Sequence, residues 1–159
     1  MELHIREANF SDSRDCAGIV DVLDSYAVDP LGGGRPLPGD VRNRLVPLLR
    51  DHPTSLVLLA FAREEPVGLA VCFFGLSTFQ AKPLLNIHDL AVVPEYRGRG
   101  VGRALLDAVE AHARSRGCCK LTLEVLDANT RAETLYRSFG FEDFSVGNPE
   151  PTRFLAKPL

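Results

Sequence analysis

The chain has 159 residues, of which 45% are hydrophobic and 25% charged, and its formal net charge is −3 at pH 7. This length suits a single globular domain with a sizeable core, so we predict one domain over residues 1–159. No apolar run reaches membrane-spanning length and no secretory signal is visible, which predicts a cytoplasmic protein without a membrane partner. The slight acidity disfavours a nucleic-acid partner, because proteins that follow phosphate backbones usually carry a basic excess.

The first third of the chain predicts a strand, a helix and a long loop. Apolar and polar residues alternate over residues 3–7, which predicts the strand. Helical spacing of apolar residues predicts a helix over about 12–26, with Ser11 as its N-cap. The segment 29–39 is rich in glycine and proline, and it is therefore predicted to be a loop.

The middle of the chain predicts a second helix and then three strands. Asp40 is the predicted N-cap of this helix, and Pro47 predicts a kink or an early stop. Apolar runs with β-forming residues then predict strands at residues 56–62, 67–76 and 84–93.

The last third predicts two more helices and three more strands. An amphipathic helix begins at Val101 and ends at Gly117, and a later helix is stopped by Gly140. The remaining elements are a strand at 120–126, the helix at 129–139, and strands at 141–146 and 152–156. Together these elements predict a mixed α/β fold, with a mostly antiparallel sheet of about seven strands flanked by about four helices.

The four cysteines do not predict a metal site. They form no C-x-x-C pair, and no nearby histidine supplies zinc-ligand spacing. We interpret them as reduced thiols, mostly buried, and a catalytic thiol is the less favoured alternative. They are Cys16, Cys72, Cys118 and Cys119.

The most informative segment runs from Leu90 to Leu106. An apolar strand breaks at Pro94, and a loop with three glycines and three arginines leads into a helix. Glycines let successive backbone N–H groups point the same way, and a helix N-terminus adds its unpaired donors and the positive end of its dipole. This arrangement predicts a phosphate-binding loop. The arginines form a compact cationic patch that suits a small polyanion: Arg97, Arg99 and Arg103.

Two known phosphate loops do not fit this segment. A nucleotide P-loop requires Gly-Lys followed by Ser or Thr, and here the chain has Gly102-Arg103-Ala104. The dinucleotide pattern G-x-G-x-x-G fails in both frames, since its third glycine would be Arg103 or Leu105. A third pattern, Arg/Gln-x-x-Gly-x-Gly/Ala, matches residues 97–102 in full. Taken alone, this match leaves open a tight turn with solvated arginines.

With this hexapeptide the chain resembles the GNAT N-acetyltransferase superfamily. A second stretch, Asn129 to Phe141, is similar to the superfamily signature Asn-x-x-Ala-x-x-Leu-Tyr-x-x-x-Gly-Phe and follows one strand later. The resemblance implies acetyl-CoA as co-substrate, with no metal. The residues that it implies for acetyl-CoA binding are Leu90, Ala91, Val92, Arg97, Gly98, Arg99, Gly100, Val101, Gly102, Arg103, Asn129 and Tyr136.

The resemblance also implies the catalytic residues. His88 lies on the strand that precedes the loop and is the candidate base, and Asp89 is the weaker candidate. Strict alternation would put Asn86, His88, Leu90 and Val92 on one face of this strand, and Ile87, Asp89, Ala91 and Val93 on the other. Tyr136 is the implied acid for the departing thiolate. The open alternatives are a buried histidine with a backbone partner and a half-buried tyrosine with an ordinary hydrogen bond.

In this superfamily the acceptor is bound largely by the segment between the first two helices and by two turns. The corresponding segments here are 29–40, 75–83 and 147–151. Asp29 with a phenylalanine cluster could hold a cationic amine, although an ordinary loop with core phenylalanines is the favoured interpretation of each residue. The cluster consists of Phe73, Phe74 and Phe79.

These observations predict an acetyl-CoA-dependent N-acetyltransferase that acts on a primary amine of a small molecule by direct attack in a ternary complex. The small molecule would be an amino acid, a polyamine or an arylalkylamine. Two alternatives stay open: an acetyltransferase for protein N-termini or lysines, and a non-catalytic acyl-CoA sensor. Homodimers are common in the superfamily, so a homodimer is an open alternative to a monomer.

Overall fold

The computed structural model describes residues 2–145, 147, 149–150 and 152–159. These residues form the predicted mixed α/β architecture, with five strands and four helices. The strands are β1 (Leu3–Glu7), β2 (Ser55–Ala62), β3 (Glu65–Ser77), β4 (Lys82–Val92) and β5 (Leu121–Leu123), and the helices are α1 (Ser13–Ala27), α2 (Gly39–Asp51), α3 (Val101–Ser115) and α4 (Thr130–Phe139).

The five strands form one sheet in the order β1-β2-β3-β4-β5. The first three pairs are antiparallel, and β5 runs parallel to β4. A parallel pair needs a crossover connection, and α3 supplies it. Within the described residues, β5 pairs with β4 only over Leu85–Ile87. Among the residues that the structure describes, the outer edge of β4 therefore has no strand beside it beyond Ile87.

The two faces of the sheet are covered by different helices. On one face, which we call the α1 face, Ile19 of α1 and Leu49 of α2 pack against Leu69 and Ala91 in a common core cluster. The opposite face, the α3 face, carries α3: a Cβ placed on Gly68 would lie 2.8 Å from Val101 Cγ1. Neighbouring positions along a strand point to opposite faces, so the two cores are separated by the sheet.

The predicted N-cap of the first helix is wrong by one residue. Asp12 caps α1, and its carboxylate accepts the Arg14 N–H at 2.8 Å. Ser11 instead donates its N–H to the Asn9 side chain at 3.0 Å. A carboxylate competes well for this position, because its charge also interacts favourably with the helix dipole.

The second helix begins and ends differently from the prediction. Pro38, not Asp40, is its N-cap, and Asp40 lies in the first turn, where it pairs with Arg44 at 2.8 Å. Of the two outcomes predicted at Pro47, a kink or an early stop, the early stop is wrong, because α2 continues to Asp51. The continuation buries Leu49 to 5% exposure, and burial of a leucine offsets a large part of the roughly 3 kcal/mol that an internal proline costs.

The two strands predicted near the C-terminus are absent from the described residues, so that the sheet has five strands and not about seven. Val146 lies outside the described residues. One backbone hydrogen bond of 3.4 Å joins the Thr152 N–H to the Phe144 carbonyl, but no ladder extends it among the described residues. Phe154 is 77% exposed, and a short strand without a packed face is not stable by itself.

The coordinates form two compact units, one up to Leu123 and one from Glu124. The first contains the sheet with α1, α2 and α3, and the second contains α4. The expectation of a single domain over 1–159 stays a prediction. In the described part of the chain, every helix falls short of the length and apolarity that a membrane crossing requires.

Candidate active site

The predicted phosphate loop connects the carboxyl end of β4 to α3. After β4 the chain makes one 3₁₀ turn over Pro94–Tyr96 and then enters the loop. Gly98 and Gly100 have left-handed φ values of 71° and 86°, which residues with a Cβ adopt only at a cost. Space is not the constraint, since a Cβ on either glycine would meet nothing within 4 Å. Glycine is required here for the shape of the backbone.

Helix α3 lacks the capping or acidic side chains that the other three helices carry at their N-termini. Asp12 caps α1 and Asn129 caps α4 through side-chain oxygens, and α2 has Asp40 in its first turn. The N-cap of α3 is Gly100, and among the described residues no side chain caps this helix and no acidic residue lies in its first turn. The N-terminal donors and the positive dipole end of α3 are therefore left for an external anion.

Arg97 directs its side chain to protein groups. Its Nε donates to the Val92 carbonyl oxygen at 2.9 Å, and its Nη1 pairs with the Asp29 carboxylate at 3.0 Å. Both side chains of this ion pair are largely buried, with 20% and 17% exposure. The contribution of Arg97 to a bound phosphate would therefore come from its backbone.

The other two arginines of the loop lie closer to solvent. The Arg99 guanidinium lies 5.5 Å from the centre of the Tyr96 ring. Arg103 is exposed in the first turn of α3. The positive charge next to the loop therefore comes from Arg99 and Arg103 rather than from three equivalent arginines.

A β-bulge at His88 changes the faces of β4. In the pairing of β3 with β4, Val71 lies opposite Asp89 and Cys72 lies opposite Ile87, so the register passes over His88. Residues directly opposite each other share a face. Asp89 therefore lies with Val71 on the α1 face, and Ile87 lies with Cys72 on the α3 face.

The predicted alternation along β4 is therefore wrong beyond His88. A bulge adds one residue to a strand, and this inverts the side-chain pattern after it. Leu90 lies opposite Ala70 on the α3 face, whereas Asp89 is on the α1 face. The His88 ring contacts Phe73, which packs against the α1-face core. The bulge thus brings both candidate bases to the same face of the sheet.

Asp89 is a half-buried carboxyl group beside His88. Burial raises the pKa of Asp89, and the neighbouring His88 acts in the opposite direction. At the end of α1, burial and then the charges of Asp89 and Asp29 raise the pKa of the Tyr26 phenol. Tyr26 therefore lies within electrostatic range of both carboxylates, and the end of α1 adjoins the bulge.

His88 is exposed and packs edge-on against Phe73. The two ring centres are 5.6 Å apart, with an angle of 78° between the rings. Phe73 also contacts His52, the residue that follows α2, with ring centres 4.8 Å apart. Nδ1 of His52 accepts the Thr54 N–H at 3.2 Å, so a neutral His52 carries its proton on Nε2. Phe73 thus restrains the His88 ring while leaving it open to solvent.

The three phenylalanines predicted as a cluster do not come together. Phe73 lies on the α1 face, and Phe74 points to the opposite face, where the Arg116 guanidinium lies 5.0 Å from its ring centre. Phe79 is 86% exposed in the turn between β3 and β4. Alternation along β3 separates the first two rings, and only Phe73 is near His88.

The predicted pantetheine-binding stretch lies on β4 beyond the bulge. Leu90, Ala91 and Val92 pair with β3 on one side. Parallel pairing with β5 ends at Ile87 on the other side, within the described residues. The Val92 carbonyl oxygen already accepts a hydrogen bond from Arg97. The backbone groups of β4 that a ligand could bind along this outer edge therefore lie before Val92.

Helix α4 carries the two site residues predicted from the second signature. The Asn129 side chain accepts the Ala132 N–H at 3.2 Å and is therefore the N-cap of α4. Tyr136 is buried in this helix, and its ring centre lies 5.8 Å from that of Phe141. Gly140 ends the helix with a φ of 106°. The roles of Asn129 and Tyr136 toward acetyl-CoA stay predictions.

The cysteines are all free thiols. Burial, with a smaller effect from Asp89, raises the pKa of Cys72 to about 12. Burial also raises the pKa of Cys118. A thiol with a raised pKa holds little thiolate at neutral pH, which disfavours both as nucleophiles. Within the described part of the chain, no three His, Cys, Asp or Glu side chains come together in a way that could hold a metal ion.

The sequence profile of the Acetyltransferase (GNAT) family matches residues 19–141, which include the bulge, the loop and α4. The chain belongs to this GNAT family. The match spans both sequence motifs and confirms the resemblance on which the site was predicted.

Two curated relatives of this GNAT chain have named activities. Thialysine N-epsilon-acetyltransferase from Bos taurus is 38% identical over 79 residues, which are 50% of this chain and 46% of that protein. Mycothiol acetyltransferase from Thermobispora bispora is 47% identical over 64 residues, which are 40% of this chain and 22% of that protein. The chain thus spans about half or less of the length of these relatives.

Solved structures confirm the GNAT architecture. An aminoglycoside acetyltransferase from an uncultured soil metagenomic sample, in complex with sisomicin, superimposes with a TM-score of 0.77 at 18% identity, covering 99% of this chain and 96% of that one. A probable acetyltransferase gives a TM-score of 0.79 at 21% identity, covering 98% of each chain. At these identities the likeness concerns the fold alone.

Two residues and one ion pair around the candidate site were not predicted from the sequence. Tyr26 is predicted only as part of a helix, and no role is predicted for His52. Roles are predicted for Arg97 and Asp29 separately, but the ion pair between them is not. The proximity of Tyr26 to Asp89 and of His52 to Phe73 depends on how α1 and α2 pack on the sheet. Asp29 lies 68 positions from Arg97 in the chain, and no local pattern links residues so far apart.

Proposed function

We propose that this GNAT chain transfers the acetyl group of acetyl-CoA to a primary amine of a small molecule. The observation that supports this most directly is the uncapped N-terminus of α3 behind two left-handed glycines, which forms a backbone cradle for the pyrophosphate of acetyl-CoA. The bulge that carries both candidate bases lies on the same strand, directly before the loop. The loop proposed to bind the donor and the two candidate bases thus belong to one continuous segment of the chain.

The costly step for such an enzyme is to obtain a neutral amine. An alkylamine with a pKa of about 10.4 is neutral at pH 7 only at a cost of about 4.6 kcal/mol. We propose that His88, with Asp89 beside it, accepts the proton from the ammonium group through water. The raised pKa of Asp89 moves this carboxyl toward the range in which a base works at neutral pH.

The transfer then proceeds by direct attack. The base first passes the ammonium proton on to solvent. The amine nitrogen then forms a bond to the acetyl carbonyl carbon and loses its second proton to the base, and the carbon–sulfur bond breaks. In this proposal the Tyr136 hydroxyl protonates the departing thiolate of coenzyme A. A thiol is already a good leaving group, so this acid contributes less than the base does.

A small acceptor is supported by the ordered segment after α1. Arg97 ties Asp29 to the end of β4, so a hydrogen-bonded turn of the chain lies on the α1 face within electrostatic range of Asp89. The names of the two relatives also refer to small molecules, thialysine and mycothiol. Cytoplasmic location and a monomeric or homodimeric state stay part of the proposal.

A thiol-release assay with acetyl-CoA tests this function. The panel contains thialysine, free amino acids, polyamines, arylalkylamines, an aminoglycoside and peptides with free N-termini or lysines. We expect turnover with at least one small amine above the rate of hydrolysis. Faster turnover of a peptide than of every small amine would support the protein-acetyltransferase alternative, and CoA binding without any turnover would support the sensor.

Two variants test the base. We expect His88→Ala to lower kcat/KM by about 10²- to 10⁴-fold near neutral pH, and less at high pH, where the free amine is already abundant. Asp89→Asn is expected to have a smaller effect in the same direction. An unchanged kcat/KM for His88→Ala from about pH 6 to about pH 9 would exclude His88 as the base.

A further inference from the structure

Phe73 contacts two histidine rings on the α1 face, and we call His52, Phe73 and His88 the aromatic cluster. The Phe73 ring centre lies 4.8 Å from that of His52 and 5.6 Å from that of His88, and both contacts are edge-on. Phe73 is half-buried, whereas the two imidazoles are exposed. An apolar ring that is accessible between two polar groups is typical of a site for a small molecule.

The His52 ring is held in place by the turn between α2 and β2. Its Nδ1 accepts the Thr54 N–H at 3.2 Å, and the His52 carbonyl oxygen accepts the Ser55 hydroxyl at 3.3 Å. The Thr54 carbonyl oxygen accepts the Phe74 N–H at 2.9 Å, which ties this turn to β3 next to Phe73. The exposed His52 ring is therefore a fixed part of the aromatic cluster.

Nε2 of His52 is the donor that this arrangement leaves to a ligand. Because Nδ1 accepts a hydrogen bond, the neutral ring carries its proton on Nε2. Among the residues that the structure describes, no group pairs with Nε2. Asn86 lies opposite Phe73 on β4, but its amide donates to Thr122 Oγ1 at 3.0 Å. His52 thus supplies an N–H donor beside Phe73 that is directed to no other side chain.

The charges near the two histidines differ. Asp89 lies beside His88 and offers a carboxyl group to an ammonium ion. Asp51 precedes His52, but its carboxylate is already paired with Arg50 through contacts of 2.8 and 3.0 Å. A second ammonium group near His52 would therefore meet an N–H donor instead of a carboxylate. A carboxylate in that place would accept the N–H, and hydrogen bonds to charged acceptors are stronger than those between neutral groups.

We propose that His52 binds a carboxylate of the acceptor, so that the acceptor is an amino acid whose reacting amine is separated from this carboxylate by an apolar chain. This inference rests on the proposed function. The amine lies near His88, the apolar chain packs on the Phe73 ring, and the carboxylate accepts the Nε2–H of His52. A polyamine or a lysine within a peptide has no such carboxylate and gains nothing from His52.

Matched acceptors with and without the carboxylate test this assignment. The pairs are lysine with cadaverine and ε-aminocaproate with pentylamine, and the members of each pair differ only by the carboxylate. For the wild type we expect kcat/KM to be about 10-fold higher for the member that carries the carboxylate, because one hydrogen bond to a charged group lowers its KM.

His52→Asn removes the Nε2 donor but keeps an acceptor for the Thr54 N–H, since the asparagine amide oxygen takes the place of Nδ1. We expect this variant to raise the KM of lysine and ε-aminocaproate by about 10-fold and to change their kcat by less than about twofold. The KM of cadaverine and pentylamine should stay unchanged, whereas a merely structural role of His52 would raise all four KM values. His4→Asn is the matched control, because His4 is an exposed histidine of β1, which is two strands away from β3. The control should keep the wild-type preference.

NMR of the imidazole nitrogens measures binding without turnover. The chain has only four histidines, so the His52 signal can be assigned by its loss in His52→Asn. In the presence of CoA, ε-aminocaproate should shift the His52 Nε2 resonance, and pentylamine at the same concentration should not.

The outcomes separate this inference from the proposed function. Equal preference for the carboxylate in the wild type and in His52→Asn would overturn the assignment and leave the acetyltransferase proposal standing. A wild type that prefers amines without a carboxylate would do the same. If the wild type acetylates no amine but its His52 signal shifts with ε-aminocaproate, the proposed function is overturned and the carboxylate site stands. The absence of both turnover and a shift would overturn both.

Discussion

Folding shifts the pKa values of the Asp89 and Asp15 carboxyl groups in opposite directions. Asp15 is 1% exposed, and it accepts hydrogen bonds from Arg6 at 2.9 Å and from the Asn9 N–H at 2.6 Å. The Arg6 guanidinium holds the pKa of Asp15 below its usual range. Burial next to the α1-face core raises the pKa of Asp89. The ionised form of Asp15 therefore stabilises the fold, whereas the ionised form of Asp89 destabilises it.

We predict that Asp89→Asn raises the free energy of unfolding at pH 7. The folded-state pKa of Asp89 lies above the unfolded value, so its ionisation favours the unfolded state above the unfolded pKa, and the full loss of stability is present above the folded pKa. The gain should shrink as the pH falls through the folded pKa and vanish below about pH 4, where both states hold a neutral carboxyl. Urea unfolding at several pH values measures it. A loss of stability at pH 7 would contradict the raised pKa.

Asp15→Asn is predicted to act in the opposite direction. We expect a loss of about 2 to 4 kcal/mol at pH 7, somewhat below the usual value for a broken buried pair, because the Arg6 side chain is 38% exposed. The stabilisation by Asp15 is present above its unfolded pKa and is lost as the pH falls through its lowered folded pKa. The same urea series measures it. Equal stability of wild type and variant at pH 7 would contradict this prediction.

Tyr136→Phe should separate acid catalysis from packing. We predict that kcat falls by about 10²-fold, because the hydroxyl that protonates the thiolate is lost. The dissociation constant for CoA and the melting temperature should change little, since the ring and its contact with Phe141 remain. Single-turnover rates and CoA titration measure these quantities. An unchanged kcat would assign the Tyr136 hydroxyl to an ordinary structural hydrogen bond.

Part of the segment that runs from β4 through the loop to α3 could be predicted from the sequence. The break at Pro94, the glycine loop and the start of α3 at Val101 follow from residue types whose backbone preferences are strong. The bulge at His88 was not predictable, because nothing in the local sequence marks it. It arises from the pairing of β4 with β3, and it moves Asp89 to the face opposite the predicted one.

The loop glycines allow a matched comparison of two substitutions. Gly98 and Gly117 have φ values of 71° and 70°, and a Cβ on either would meet nothing within 4 Å. We predict that Gly98→Ala and Gly117→Ala each lower the free energy of unfolding by about 1 to 2 kcal/mol. Only Gly98→Ala should weaken CoA binding, because Gly117 lies beyond the other end of α3. Equal CoA affinity in the two variants would contradict the loop as the donor site.

For the molecule as a whole, donor binding should appear as added stability. A ligand at 100 times its dissociation constant stabilises a protein by about 2.7 kcal/mol, so saturating CoA should raise the melting temperature by about 5 to 10 °C. Pantetheine, which lacks the pyrophosphate, should give a much smaller shift at the same concentration. Differential scanning fluorimetry measures both shifts. Equal shifts would contradict a pyrophosphate site on the α3 loop.

Much of the architecture could be predicted because it depends on local patterns. Amphipathic spacing predicted α1 and α3, and alternation or apolar runs predicted β1 to β4, with ends that differ by one or two residues. The prediction for the C-terminal segment is wrong because a local pattern does not form a strand without a partner. Residues 152–156 have the alternation of a strand, but among the described residues no sheet edge pairs with them and Phe154 stays exposed.

The order of the elements, the phosphate loop and the family follow from the amino-acid sequence, because glycine, proline and apolar periodicity act over a few residues. The placement of the candidate bases does not follow from it. His88 and Asp89 share a face because β3 and β4 pair with a bulge, and Arg97 meets Asp29 because packing brings together residues that are 68 positions apart. Contacts between distant residues depend on how the helices cover the sheet, and local preferences carry no information about them.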